Sequence, residues 1–203
     1  MSKAAKKPTT DSIAALKAEF NALWPISPRA WSAFEAIVSL RRLKSRDVFI
    51  REGDASTKGG YVIKGLLRAT YIKNGGVEYT QSFFPEGRIC AAYPAFLRGQ
   101  PVTATFEALE DCEIIEIPLK AFRDLFTEYT EWSHIGRLLI EHEYLAHVDR
   151  VEDLLTGDAN ARFSAFKKKH EKLLPRLKNI HLASYLGIKP ESLSRLRSKG
   201  RSG

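Results

Sequence analysis

Residues 179–198, Asn-Ile-His-Leu-Ala-Ser-Tyr-Leu-Gly-Ile-Lys-Pro-Glu-Ser-Leu-Ser-Arg-Leu-Arg-Ser, read as two short helices joined at a glycine turn. Two helices cross closely where a small residue lets their backbones approach and the turn carries no Cβ. Ala183 and Gly187 occupy those places. Leu182, Leu186, Ile188, Leu193 and Leu196 form an apolar set at helical spacing on both sides of the turn. Pro190 suits the first turn of the second helix, where a missing N–H is no loss. The expected core of this helix-turn-helix is Ala183, Leu186, Gly187, Ile188, Leu193 and Leu196.

The remaining positions of the second helix are polar: Lys189, Glu191, Ser192, Ser194, Arg195, Arg197, Ser198 and Lys199. Such side chains reach phosphates and base edges, so these eight are the expected contacts to double-stranded DNA. An ordinary helical hairpin would need no particular charge. Residues 162–203, however, hold twelve Lys or Arg against two Asp or Glu, a net of +10. Residues 1–161 hold 20 against 22, a net of −2. A basic surface confined to one region is the electrostatic footprint of a polyanion-binding domain. Lys167, Lys168 and Lys169 suit either general attraction to phosphate or a solvated helix face.

The 203 residues, 44% hydrophobic and 28% charged, are an ordinary soluble mixture with length enough for a sizeable core. Residues 1–12 are polar and Lys-rich, expected as a disordered basic tail. No apolar segment follows them, and no run approaches a membrane span, so a cytoplasmic location without a membrane partner is expected. Cys90 and Cys112 are the two cysteines, each expected in a core, and no Cys/His grouping for a metal is present.

Working back toward the N-terminus, helical periodicity covers Glu128 to Leu155, with Ile135, Leu138, Leu139, His142, Leu145 and Val148 recurring at three- and four-residue steps. So long a stripe invites a partner helix, and these six are the expected homodimer seam, the alternative being that the helix packs wholly on its own β-domain. Gly157-Asp158 reads as a hinge. Between Leu43 and Ile117 short runs of Val, Ile, Tyr, Phe and Thr alternate with glycine turns, the texture of a β-sandwich or barrel. Asn74-Gly75 is a hairpin signal. A helical lead-in, with Ile13, Leu16, Phe20 and Leu23 on one face, precedes it. The class is α+β, divided into 13–127, 128–157 and 158–203.

Val48-Phe-Ile-Arg-Glu-Gly-Asp54, Tyr61-Val-Ile-Lys-Gly-Leu-Leu-Arg68 and Asp111-Cys-Glu-Ile-Ile-Glu-Ile117, followed by a long helix and a helix-turn-helix, resemble the Crp/Fnr family of bacterial transcription regulators. The resemblance covers about residues 30–200 and implies an N-terminal jelly-roll of the cyclic-nucleotide-binding kind, a dimerisation helix and paired recognition helices on an inverted repeat. It also implies that Glu191 and Arg195 serve base and backbone contact. Members that bind cAMP carry a Gly-Glu pair for the ribose and then an Arg-Ser or Arg-Thr pair for the phosphate. Here Cys90 and Ala91 stand at the first pair, and Pro101 or Val102 replaces the arginine. An apolar side chain cannot supply a charge-assisted contact to an anion. Arg88, Cys90, Ala91, Tyr93, Val102 and Thr103 are therefore expected to line a degenerate pocket without tight cAMP or cGMP binding.

No cofactor is expected. Two thiols are too few for an iron–sulfur cluster, and the histidines, His134, His142, His147, His170 and His181, all lie outside the β region. That distribution also argues against a metal-dependent jelly-roll enzyme, so the chain is expected not to be one. A different alternative is a module binding nucleic acid or an acidic partner without sequence preference. RNA polymerase and a small-molecule effector are further partners the resemblance leaves open.

Overall fold

The computed structural model describes residues 10–73 and 76–199. The expected tail falls largely outside them, as does the Asn74-Gly75 turn. Two compact units result. One comprises the chain up to Ala69 together with Phe83–Glu141, and the other comprises Thr70–Ser82 with the chain from His142 onward.

The first unit opens with α1 (Thr10–Leu23) and α2 (Pro28–Ile37), followed by β1 (Ser39–Leu43), β2 (Val48–Ile50), β3 (Lys58–Lys64) and the start of β4 (Leu67–Lys73). The end of β5 (Val77–Phe84) leads to β6 (Ile89–Ala91), α3 (Tyr93–Arg98), β7 (Thr105–Ala108), β8 (Cys112–Pro118) and α4 (Leu119–Glu128). The strands form two four-stranded sheets, β1-β8-β3-β6 and β2-β7-β4-β5, the expected β-roll. Strand β8 shows why two hydrophobic layers exist. Successive side chains on a strand point to opposite faces. Cys112 and Ile114 accordingly join the sandwich interior, with Val62, Leu67 and Phe106. Ile115 and Ile117 join a second core under the helices. Gly65 at the β3–β4 turn has φ +96°, and a Cβ there would lie 2.6 Å from the Asp111 carbonyl, so both conformation and space require glycine. Arg68, buried on β4, is ion-paired with Glu107 of β7.

The second core mixes aromatic and aliphatic side chains. Phe20, Trp31, Phe34, Tyr61 and Trp132 are buried together. The Trp132 ring lies 4.6 Å from Phe34 and 5.6 Å from Phe122, centroid to centroid. Leu23, expected on the inner face of α1, is instead exposed at the helix end. At α2, Pro28 takes the first helical position and the Ser27 hydroxyl accepts from the Ala30 amide at 3.2 Å, satisfying an orphan donor.

The long helix α5 (Thr130–Thr156) begins in this unit. Ile135, expected at a dimer seam, is 0% exposed within the aromatic core, and Leu139 packs against the same cluster. The apolar stripe therefore divides, its first turns covered by the chain's own helices and β-roll.

The second unit holds the rest of α5, then α6 (Ala159–Lys169), a 3-10 turn (Glu171–Arg176), α7 (Asn179–Leu186) and α8 (Pro190–Lys199). It also contains the end of β4 from Thr70 and the start of β5 to Ser82, which the expected boundaries at 127/128 and 157/158 do not provide for. There Arg150 donates to the Thr80 carbonyl and Ser184 accepts from the Thr80 amide.

Candidate nucleic-acid interface

Asp158, in the expected hinge, caps α6 by accepting from the Ala161 amide at 2.8 Å. Phe166, Leu173, Leu177, Leu182, Ala183, Leu186 and Leu193 are buried and form the core beneath the two helices. Ile188 and Leu196 are only partly covered. Helix α7 ends at Gly187, whose φ of +67° and ψ of +36° are left-handed. A Cβ on Gly187 would approach only Leu154 Cδ2, at 3.8 Å. Glycine is needed here for its backbone conformation and not for close helix approach. The Ile188 amide then donates back to the Ala183 carbonyl at 3.0 Å, closing the turn.

Helix α8 starts at Pro190, and the Lys189 carbonyl accepts from Ser192 and Leu193. Glu191, Ser194, Arg195 and Ser198 follow one another at helical spacing and are exposed. Lys189 is exposed beside them, while Ser192 and Arg197 are half-buried. Arg195 Nη2 reaches Ser192 Oγ at 3.4 Å, and the Ser198 hydroxyl donates to the Arg195 carbonyl at 2.9 Å. Lys199 ends the helix. One stripe of α8 thus offers an acid, an arginine and hydroxyls to solvent, while Leu193 anchors the other side. The three lysines of α6 differ: Lys169 is paired at 2.8 Å with Asp149 of α5, and that hydrogen bond raises its pKa, whereas Lys167 and Lys168 are exposed.

Beyond Leu139 the long helix carries uncovered apolar side chains. Ile140, Tyr144, Val148, Val151 and Leu155 recur along one face, with Leu145 and Leu154 beside them. Leu145 is 61% and Leu155 80% exposed. His142 is exposed as well.

The expected pocket residues differ in exposure. Cys90 and Val102 are packed in the sandwich interior with Leu67, Ala104 and Phe106. The Cys90 thiol donates to the Gly60 carbonyl at 3.3 Å, and burial pushes its pKa up to about 12. Arg88, Ala91 and Tyr93 are half-buried, and Thr103 is exposed. Pro101, where the phosphate arginine is expected, bridges to Ala55, and the Val102 amide donates to the Asp54 carbonyl at 2.9 Å. That backbone is committed to a neighbouring turn.

Sequence periodicity did not reveal Arg150, Ser184 and Tyr185. The Ser184 hydroxyl accepts from the Thr80 amide at 2.8 Å and donates to the Glu78 carbonyl at 2.8 Å. Arg150 donates to the Tyr185 and Thr80 carbonyls and lies 3.6 Å over the Tyr185 ring. Burial lowers the Arg150 pKa. A serine within a short helix and an arginine within an amphipathic one are unremarkable in sequence, and no local spacing signals their partners.

Among the described residues no group of three or more His, Cys, Asp or Glu is placed to hold a metal ion, and no helix is long and apolar enough to cross a membrane. Residues 40–129 match the family model of the cyclic nucleotide-binding domain. No curated protein sequence matches the chain. FixK2 from Bradyrhizobium japonicum is 15% identical with a TM-score of 0.72, covering 82% of this chain and 85% of its own. A putative transcriptional regulator of the Crp/Fnr family from Eubacterium rectale is 15% identical with a TM-score of 0.71, covering 91% and 88%. This is the Crp/Fnr fold. The c-di-GMP-responsive global regulator CLP of Xanthomonas campestris shares that fold at 19% identity, TM-score 0.69, covering 87% and 92%. The order in this chain is β-roll, long helix and C-terminal helices.

Proposed function

We propose that this protein is a sequence-specific DNA-binding transcription regulator, acting as a homodimer on an inverted-repeat operator. The observation that carries the proposal is helix α8. It is anchored by Leu193 behind a left-handed Gly187, with Glu191, Ser194, Arg195 and Ser198 exposed in the region that holds the chain's positive balance. Arg195 is assigned to a guanine edge or a phosphate and Glu191 to a cytosine amino group. Ser194 and Ser198 lie on the same reading stripe. Lys189, Ser192, Arg197 and Lys199 are assigned to phosphates. The likeness to structures described as regulators supports this reading.

The uncovered face of α5 from Ile140 to Leu155 suits a second copy of the same helix, which would place two recognition helices about a two-fold axis. The β-roll is proposed not to bind cAMP tightly, because Cys90 and Val102 face the core and Pro101 and Val102 stand at the expected arginine position.

Selection of bound sequences from random duplex DNA, followed by affinity measurement at fixed salt with and without cAMP, tests all three parts. An enriched inverted repeat, bound equally with and without cAMP, is the expected result. Equal affinity for random and selected DNA would sink the specific reading, and micromolar cAMP dependence would sink the lost pocket.

A further inference from the structure

The Arg150 and Ser184 contacts have a chemistry that packing alone does not need. Both lie in the C-terminal unit, as do their partners on β5. A helix leaves its last four carbonyls without intrahelical donors, and cations are favoured there. Tyr185 stands in the last turn of α7, one residue before its end. Arg150 of α5 supplies a guanidinium to the Tyr185 carbonyl, a second contact to the Thr80 carbonyl at 3.4 Å, and a stacked face for the Tyr185 ring. Ser184 holds the edge of β5 from the other side, accepting from the Thr80 amide and hydroxyl and donating to the Glu78 carbonyl.

Three segments far apart in sequence thus meet at the turn of the helix-turn-helix: α5 at Arg150, β5 at Glu78 and Thr80, and α7 at Ser184 and Tyr185. Leu154, one helical turn beyond Arg150, is the side chain that a Cβ on Gly187 would meet, at 3.8 Å. None of these groups lies on the exposed stripe of α8. The clasp holds the first helix of the motif and leaves the reading face open.

We infer that Arg150 and Ser184 are positioning residues that fix the angle of the helix-turn-helix on the long helix, and so set the operator half-site spacing the protein accepts. The inference rests on the DNA-binding dimer proposed above. Two linked heads gain affinity over one only where their geometry matches the two half-sites, so a loosened head loses that gain while keeping its own base contacts. A planar guanidinium serves two carbonyls and a ring at once, which a lysine ammonium does not.

The test uses the full chain and the natural protein's selected inverted repeat, a single half-site, and repeats with the spacer lengthened or shortened in single base pairs. For Arg150→Ala and Ser184→Ala the expected result is roughly a 10-fold loss on the full site, a half-site affinity within about twofold of the natural chain, and a flattened spacer preference. Arg150→Lys should fall between. An unchanged spacer profile, or equal losses on half and full sites, would overturn the inference. Hydrogen exchange gives a readout independent of DNA: the Thr80 amide should exchange faster in both alanine variants, and unchanged exchange would also overturn it. A natural chain that selects no sequence, or binds full and half sites equally, overturns the regulator or dimer reading instead. The inferred positioning role falls with it, while the exchange result still decides whether the clasp forms.

Discussion

The indole Nε1 of Trp132 donates to the Ala30 carbonyl at 2.9 Å, in a fully buried contact between the first turn of the long helix and α2. This bond ties α5 to the β-roll's helical layer. Phe34, Phe20 and Phe122 surround the ring, so the contact is both a hydrogen bond and the centre of the aromatic core.

Trp132→Phe keeps most of the packing but removes the hydrogen bond to the Ala30 carbonyl, a change expected to cost about 0.5–1.5 kcal/mol. Trp132→Ala should cost about 3–5 kcal/mol, because a cavity is left as well. Denaturant unfolding of the two variants measures the difference. Near-equal losses would mean that the hydrogen bond, and not the ring volume, dominates.

The two thiols should be silent in the folded protein. Burial raises Cys90 to about 12 and Cys112 to about 11 from an ordinary 9.0, so near neutral pH neither offers thiolate to a reagent. A thiol-reactive dye should label both only after unfolding. The pH dependence has a definite sign: above about pH 9 the unfolded thiols lose protons that the folded ones keep, so stability falls as pH rises toward 11 and 12. Unfolding midpoints of Cys90→Ala and Cys112→Ala variants that fall as steeply as the natural chain's over that range would show that other groups are responsible.

Val148 and Ile135 should behave oppositely although both belong to one stripe. Val148 is exposed on α5, so Val148→Asp should leave thermal unfolding of the isolated chain nearly unchanged while shifting sedimentation toward the monomer. Ile135 is buried, so Ile135→Ala should cost about 2–5 kcal/mol of stability without reporting on dimerisation. A Val148→Asp protein that sediments like the natural chain would remove this face from the dimer proposal.

Arg195→Ala should weaken the selected DNA site by about 1–3 kcal/mol and relax preference at one base position. Lys167→Ala, by contrast, should weaken all sequences alike and lower the salt dependence by about one counterion. Competition binding over a salt series separates the two. An Arg195 variant with the natural sequence preference would move that residue to the phosphate class.

Much of this fold is local and could be read along the chain. The change of period near residues 43 and 118, the glycine turn at 187 and the proline opening α8 each act over a few neighbouring residues, and the confinement of positive charge to the last fifth is a matter of composition. The Crp/Fnr resemblance drew on the same stretches. Tertiary structure decided where each patterned face finds its cover. Ile135 and Leu145 share one helical stripe, yet the first meets Trp132 and Phe20 in the aromatic core while the second stays in solvent. Cys90 and Val102 stand where a pocket is expected, but both are packed into the sandwich interior. Ser184 and Thr80 are 104 positions apart, and a hydrogen bond over that separation leaves no periodic trace. Periodicity specifies that a face must be buried; only the packed chain determines against what, because burial is non-directional while hydrogen bonds and side-chain packing select the partner.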